Sequence, residues 1–172
     1  LHDRTDVRYE SLAEYPDYYT NMEGAREGHR SLEPAPIMAS ELGANWKNMT
    51  WTHFMMRMFN RIHFTQVEAH LLMVQLPGWK KLLARLMWDY IRDIPWRLKT
   101  PISRRLACGS AGVARLYLSV LKREIPLEFN TQMVELIADG DTVLGAVIEC
   151  NGQRQRARAA KGVILASGGL EK

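Results

Sequence analysis

Two turn signals, Asp139-Gly140-Asp141 and Asn151-Gly152, separate stretches of alternating apolar and polar residues and constrain this chain more tightly than any other feature. Glycine and asparagine accept the positive φ that a two-residue hairpin turn demands, and Asn-Gly between alternating runs is among the strongest hairpin signals. The spacing predicts strands over residues 127–138, 142–150 and 153–160, an antiparallel meander whose later strands are polar on one face. A fourth run, Gly162-Val-Ile-Leu-Ala-Ser167, is aliphatic through its middle and opens into Gly168-Gly169. An unbroken apolar run bounded by turn glycines predicts a strand over residues 163–166 that is buried on both faces. The glycine pair predicts a point where backbone comes closer to a neighbour or ligand than a Cβ would permit.

Upstream, the period lengthens from two to that of a helix. Val113, Leu116, Tyr117, Val120 and Leu121 recur behind Gly109 and Gly112, which predicts a helix over residues 110–122 packed closely at its glycine end. The Pro77-Gly78 break starts a second helix over residues 80–91, with Leu82, Leu83, Leu86 and Met87 inward. Trp51, Phe54, Met55, Met58 and Ile62 fall at i, i+3, i+4, i+7 and i+11 and predict a third. Residues 1–36, interrupted by Pro16, Gly24, Gly28, Pro34 and Pro36, predict irregular connecting structure. The expected division is an irregular and helical region over residues 1–104 and a helix, meander and terminal strand over residues 105–172, an α/β class of chain.

Composition removes several functions. At 47% hydrophobic and 24% charged residues the chain has no disordered signature. A net charge of +4 is too small to demand nucleic acid, and the basic residues between Trp79 and Arg105 are interrupted by Asp89 and Asp93, as on a solvated helix face. No apolar run reaches the roughly 18–20 residues of a membrane span. Cys108 and Cys150 stand alone, which points to a reducing, cytoplasmic setting. His53, His63 and His70 offer no i, i+4 pair, so they read as packing or surface residues and no metal site is expected.

The ordered series of helix from Gly112-Val-Ala-Arg-Leu-Tyr-Leu118, strand to Leu136-Ile137, strand Val143-Leu-Gly-Ala-Val-Ile148 and run Gly162-Val-Ile-Leu-Ala-Ser-Gly-Gly-Leu-Glu171 resembles the FAD-binding domain of the fumarate reductase and succinate dehydrogenase flavoprotein family. Tyr15-Pro-Asp-Tyr-Tyr19 and Gly28-His-Arg-Ser-Leu-Glu-Pro34 resemble its ketosteroid dehydrogenase-like branch. The resemblance implies a Rossmann-like domain holding FAD, with the pyrophosphate on a glycine-rich turn at a helix N-terminus. No Gly-x-Gly-x-x-Gly occurs in this chain, so it matches an internal fragment of such a domain and is expected, taken alone, to bind FAD poorly and to be inactive.

Carried over residue by residue, the resemblance implies that the Val134 backbone meets the adenine edge. It also implies that Ala166, Ser167, Gly168 and Gly169 form the turn passing beside the dinucleotide. Tyr18, with Tyr15 and Tyr19 as alternatives, would handle the proton at a substrate ketone. The implied reaction moves a hydride between flavin and a carbon next to a ketone, possible substrates being ketosteroids and similar cyclic ketones; the electron acceptor is left open. Two alternatives stand beside it: a fumarate or succinate enzyme, for which Arg26 and Arg30 are the upstream cations, and a non-catalytic binding module.

Overall fold

The computed structural model describes residues 1–168. The first of its two compact units runs over Leu1–Ile125 and the second starts at Pro126.

In the first unit, β1 (Tyr9–Ser11) pairs antiparallel with β2 (Leu32–Pro34), so the irregular N-terminal stretch is a long loop closed at its base. The chain continues through β3 (Ile37–Met38), a 3-10 stretch over Ala39–Asn48 and a second over Phe54–Met56. Then come β4 (Arg57–Met58), β5 (Ile62–His63), and the helices α1 (Gln66–Met73), α2 (Trp79–Arg92) and α3 (Ile94–Arg97). Strand β6 (Arg105–Leu106), paired with β3, leads into α4 (Cys108–Leu121).

Helices α2 and α4 lie where periodicity placed them. Leu82 and Leu86 are the buried residues of α2, and they pack with Ile62 beneath Met58, Leu71 and Tyr90. The α4 face is small, with Ala111 and Ala114 fully buried, and this lets the helix approach the N-terminal segment. A Cβ at Gly112 would meet Pro34 Cγ at 3.1 Å, a tight contact to which the proline ring would have to yield by a few tenths of an ångström. The same helix sends Arg115 across to the main-chain carbonyls of Asp6, Ala35 and Pro36, with N···O distances of 3.0, 2.7 and 2.7 Å. The Ala35 and Pro36 carbonyls lie in the Pro34-Ala-Pro36 segment between β2 and β3, and that of Asp6 lies before β1, so the guanidinium satisfies groups outside the strand ladders. Around this contact, Ile37, Leu42, Met49, Trp96, Leu106 and Leu118 complete the main core.

The helix expected from Trp51 to Ile62 is absent. Phe54 and Met55 are exposed, and the segment turns at Phe59 (φ 52°) and Asn60 (φ 57°) into the β4–β5 hairpin. Met58 and Ile62, whose i, i+4 spacing reads as one helical face, are instead directly opposed cross-strand partners. A three-residue hairpin connection brings the same pair of positions together as a helical turn does, and the two left-handed residues decide for the hairpin.

The second unit is the predicted meander: β7 (Thr131–Asp139), β8 (Thr142–Cys150) and β9 (Gln153–Arg158) in the order β7-β8-β9, antiparallel throughout. Gly140 (φ 56°) and the pair Asn151 (φ 51°) and Gly152 (φ 77°) make the turns. At Gly145 a Cβ would lie 2.1 Å from the Ala157 carbonyl oxygen, so β8 and β9 meet closely only because that residue is glycine. The fourth strand is not formed. After Ala159, whose N–H still reaches the Leu144 carbonyl at 2.8 Å, residues 162–168 run without regular structure, and Ile164 is 92% exposed. An apolar run becomes a doubly buried strand only when neighbouring strands and covering helices flank it, and the described residues supply neither.

Candidate functional site

The residues expected to carry chemistry lie in both units. In the first, the Tyr15–Tyr19 segment sits on the loop between β1 and β2, and the loop is held at both ends. At its base the Leu12 N–H donates to the Ser31 carbonyl at 2.9 Å and the His29 N–H to the Leu12 carbonyl at 2.7 Å. Gly28 is pressed so tightly that a Cβ would sit 1.7 Å from the Ala13 carbonyl oxygen. Nearer the tip, Asp17 Oδ2 accepts from the Arg26 N–H at 3.0 Å and from Arg30 Nη1 at 2.6 Å. Arg30 Nη1 also reaches the Gly24 carbonyl, so this cation is committed to the loop, which weakens the dicarboxylate alternative.

Within that frame Tyr18 lies near enough to Tyr15 for its phenol to raise the Tyr15 phenol above its usual pKa. Tyr18 and Tyr19 project outward, 89% and 73% exposed. Tyr15 edges a groove of about 650 Å3 formed with the apolar side of α1, including Val67, Leu71, Met73 and Val74. The structure thus pairs two of the three candidate tyrosines and separates the third.

In the second unit, Val134 falls where the β7–β8 register shifts between Met133 and Glu135, so it is the residue the ladder skips and it is 40% exposed. A residue at such an irregularity has backbone groups not committed to its neighbour strand. Ala166, Ser167 and Gly168 are exposed and lie beyond the last ladder contact. Gly168 has φ 91°, a conformation that favours glycine, although no atom lies within 4 Å of where its Cβ would be. The glycine preference at Gly168 is conformational within the chain itself. Gly169, the remaining candidate, lies outside the described residues.

Sequence reasoning missed a buried polar network in the first unit. Glu68 accepts both terminal nitrogens of Arg105, at 2.9 and 3.1 Å, and Arg85 at 3.2 Å, while closing a capping box with Thr65 at the start of α1. Glu33 accepts from the Gln66 N–H at 2.8 Å and from Cys108 Sγ at 3.2 Å. Burial, followed by the bond to Glu33, pushes the Cys108 thiol up to about 12, so it is a hydrogen-bond donor and not a nucleophile. The signal was present in the spacing Thr65-Gln-Val-Glu68, which has the form of a capping box. Among the described residues, no three His, Cys, Asp or Glu side chains gather as a metal site, and no helix is long and apolar enough to cross a membrane.

A family described as an FAD binding domain matches residues 6–172. A 3-oxosteroid 1-dehydrogenase of Comamonas testosteroni is 33% identical over 168 residues, covering 96% of this chain and 29% of the relative. A 3-oxosteroid 1-dehydrogenase of Mycobacterium tuberculosis (strain ATCC 25618 / H37Rv) is 27% identical over 168 residues, covering 91% of this chain and 28% of its own length. Among solved structures, 3-ketosteroid delta1-dehydrogenase from Sterolibacterium denitrificans, in complex with 1,4-androstadiene-3,17-dione, superposes with a TM-score of 0.91 at 33% identity. That match covers 98% of this chain and 31% of the other. The chain therefore spans about three-tenths of the length of the curated relatives it matches.

Proposed function

Because this chain belongs to the FAD binding domain family, matched over residues 6–172, we propose that it is part of an FAD-dependent dehydrogenase that oxidises a ketosteroid or a similar cyclic ketone beside its carbonyl. The observation that carries this reading is the superposition of 98% of the chain on a steroid-bound dehydrogenase at 33% identity. In the finer reading, residues 105–172 carry the recognisable core of a Rossmann-like domain and residues 1–104 precede it.

The residues present fit one flank of FAD. The skipped backbone at Val134 and the left-handed glycine at Gly168 both leave main-chain groups exposed, which suits a ligand recognised largely through backbone. In this reading Val134 meets the adenine edge, and Ala166, Ser167, Gly168 and Gly169 pass beside the dinucleotide. When bound, FAD supplies the hydride acceptor. Tyr18 would donate a hydrogen bond to the substrate ketone oxygen as negative charge builds there, with Tyr15 close beside it. The groove bordered by Tyr15 gives an apolar surface of a size that suits a rigid hydrocarbon, within the roughly 300–1,000 Å3 typical of ligand sites.

The test is to express the complete reading frame, record its visible spectrum and assay oxidation of 4-androstene-3,17-dione with an artificial electron acceptor. Flavin bands with turnover support the proposal, and a colourless, inactive protein sinks it. Tyr18→Phe is expected to lower kcat about 100-fold, in the range of a lost general acid, with the flavin bands unchanged. Unchanged kcat in that variant would remove Tyr18 from the chemistry while leaving the flavoprotein reading intact.

A further inference from the structure

Arg154, Arg156 and Arg158 alternate along β9 and so share one face of the meander, while Gln153, Gln155 and Ala157 share the other. All three arginines are exposed. The ladders place Val147 and Gly145 of β8 beside Arg156 and Arg158, and Glu135 and Ile137 of β7 beyond them. Charged residues from all three strands, Glu135, Glu149 and the arginines, therefore lie on this face, as on the solvated side of an antiparallel sheet.

One cross-strand row on this face, Ile137, Gly145 and Arg158, has no side chain at its centre. Next to it the register shifts between Ile137 and Ala138, which makes Leu144 the extra residue of a β-bulge and turns it to the same place. The outcome is a hollow of about 230 Å3 lined by Ile137, Leu144, Arg156 and Arg158. Arg154, outside the hollow, is held by Glu149 Oε2 at 2.8 Å. Arg156 and Arg158 make no hydrogen bond or ion pair among the described residues. Two positions apart on one strand face, their Cα atoms stand roughly 7 Å apart, close enough for both guanidinium groups to reach a single tetrahedral anion. The carboxylate in the same row as Arg156, Glu135, is two strands away with Val147 between them.

We propose that this hollow binds a small phosphate monoester with an apolar body, the phosphate held by Arg156 and Arg158 and the body lying over Gly145 against Ile137 and Leu144. Two cations without partners call for a dianionic head, and a phosphate monoester carries about −1.5 to −2 charge at neutral pH. A carboxylate would answer one of them and a neutral polar group neither. The volume falls short of the roughly 300 Å3 at which drug-sized sites begin, so the body is a single ring or a short chain. The same arginines disfavour a second copy of the chain, because β9 laid antiparallel against β9 would set like charges beside each other. This site is independent of the flavin reading and shares no residue with it.

Phenyl phosphate, inorganic phosphate and phenol separate the two halves of such a ligand. In calorimetry on the protein from its complete reading frame, phenyl phosphate is expected to bind about tenfold more tightly than inorganic phosphate, the effect of partly covering an apolar ring. Phenol is expected to give no measurable heat. The double variant Arg156→Gln, Arg158→Gln should lose about 30-fold in phenyl phosphate affinity, since charge-assisted bonds at exposed sites are partly screened. Lys161→Gln, which removes an equally exposed cation outside the hollow, should leave that affinity unchanged. Exposure of all three side chains lets these variants keep the fold, which amide exchange in β9 checks. Undiminished affinity in the double variant, or equal affinity for the two phosphates, would overturn the assignment. Capture of phosphatidic acid vesicles without binding of phenyl phosphate would overturn it too, in favour of a membrane surface.

Discussion

In the first unit nine buried residues, Ile37 through Leu118 in sequence, close into one core around Leu106, Ala111 and Ala114, whereas from Pro126 onward Ala146 is the one buried apolar side chain among those described. Both regions contain well-formed elements, but they are held differently. The first relies on side chains packed against each other, with backbone groups picked up by Arg115 and Glu33. The second relies on two ladders of main-chain hydrogen bonds, and leaves Met133, Val134, Val143 and Leu144 substantially exposed. A three-stranded sheet needs a covered apolar face for independent stability, so the second unit has an apolar surface still to be satisfied.

The largest effect that would sharpen this contrast is expected from Leu106→Ala. Leu106 is completely buried, and its truncation should cost the first unit about 2–5 kcal/mol, measured by denaturant unfolding, with amide exchange in β7–β9 unchanged. Equal loosening of the meander would break the division.

Acid should act on the same unit. His63 is depressed in the fold from 6.5 to about 4, by burial first and then by Arg57 and Arg105, so the folded state disfavours a proton that the unfolded chain accepts. The stability it contributes is whole above pH 6.5 and is lost as pH falls from there through about 4, by up to ~3 kcal/mol. Following unfolding from pH 7 to pH 4 by tryptophan fluorescence checks this, since Trp51 lies beside the imidazole at 6.3 Å between centroids. His63→Phe should flatten that slope.

The smallest effect is expected in the meander. Gly145→Ala places a methyl against the Ala157 carbonyl and should cost about 1–3 kcal/mol by forcing β8 and β9 apart. Hydrogen exchange should rise at β9 and stay constant in α2 and α4. Undisturbed β9 protection would mean that the close approach at Gly145 is not what sets the strand spacing.

How far these regions can be read from sequence follows from how each is held. The meander, α2 and α4 are legible because their signals are local: Asn151-Gly152 forces its turn, and Leu82 with Leu86 marks one face of a helix. The β4–β5 hairpin is misread because Met58 and Ile62 satisfy two periodicities at once, and only the left-handed Phe59 and Asn60 choose between them. Residues 163–166 are misread as a formed strand because strand character in a parallel sheet belongs to the neighbours as much as to the run itself. Of the site, the tyrosine segment and the glycine turn are visible as motifs. The Asp17–Arg30 clamp and the Glu68 network depend on contacts between residues distant in the chain, which no local pattern encodes.

Arg115 gives the first unit a temporal order. Its grip on the carbonyls of Asp6, Ala35 and Pro36 ties the opening stretch to a residue synthesised 109 positions after Asp6. Long-range closures of this kind slow assembly, because the loop must be ordered before any contact rewards it. The carbonyls of Asp6, Ala35 and Pro36 are thus among the last groups of this unit to be secured, because during synthesis they wait for α4 to arrive.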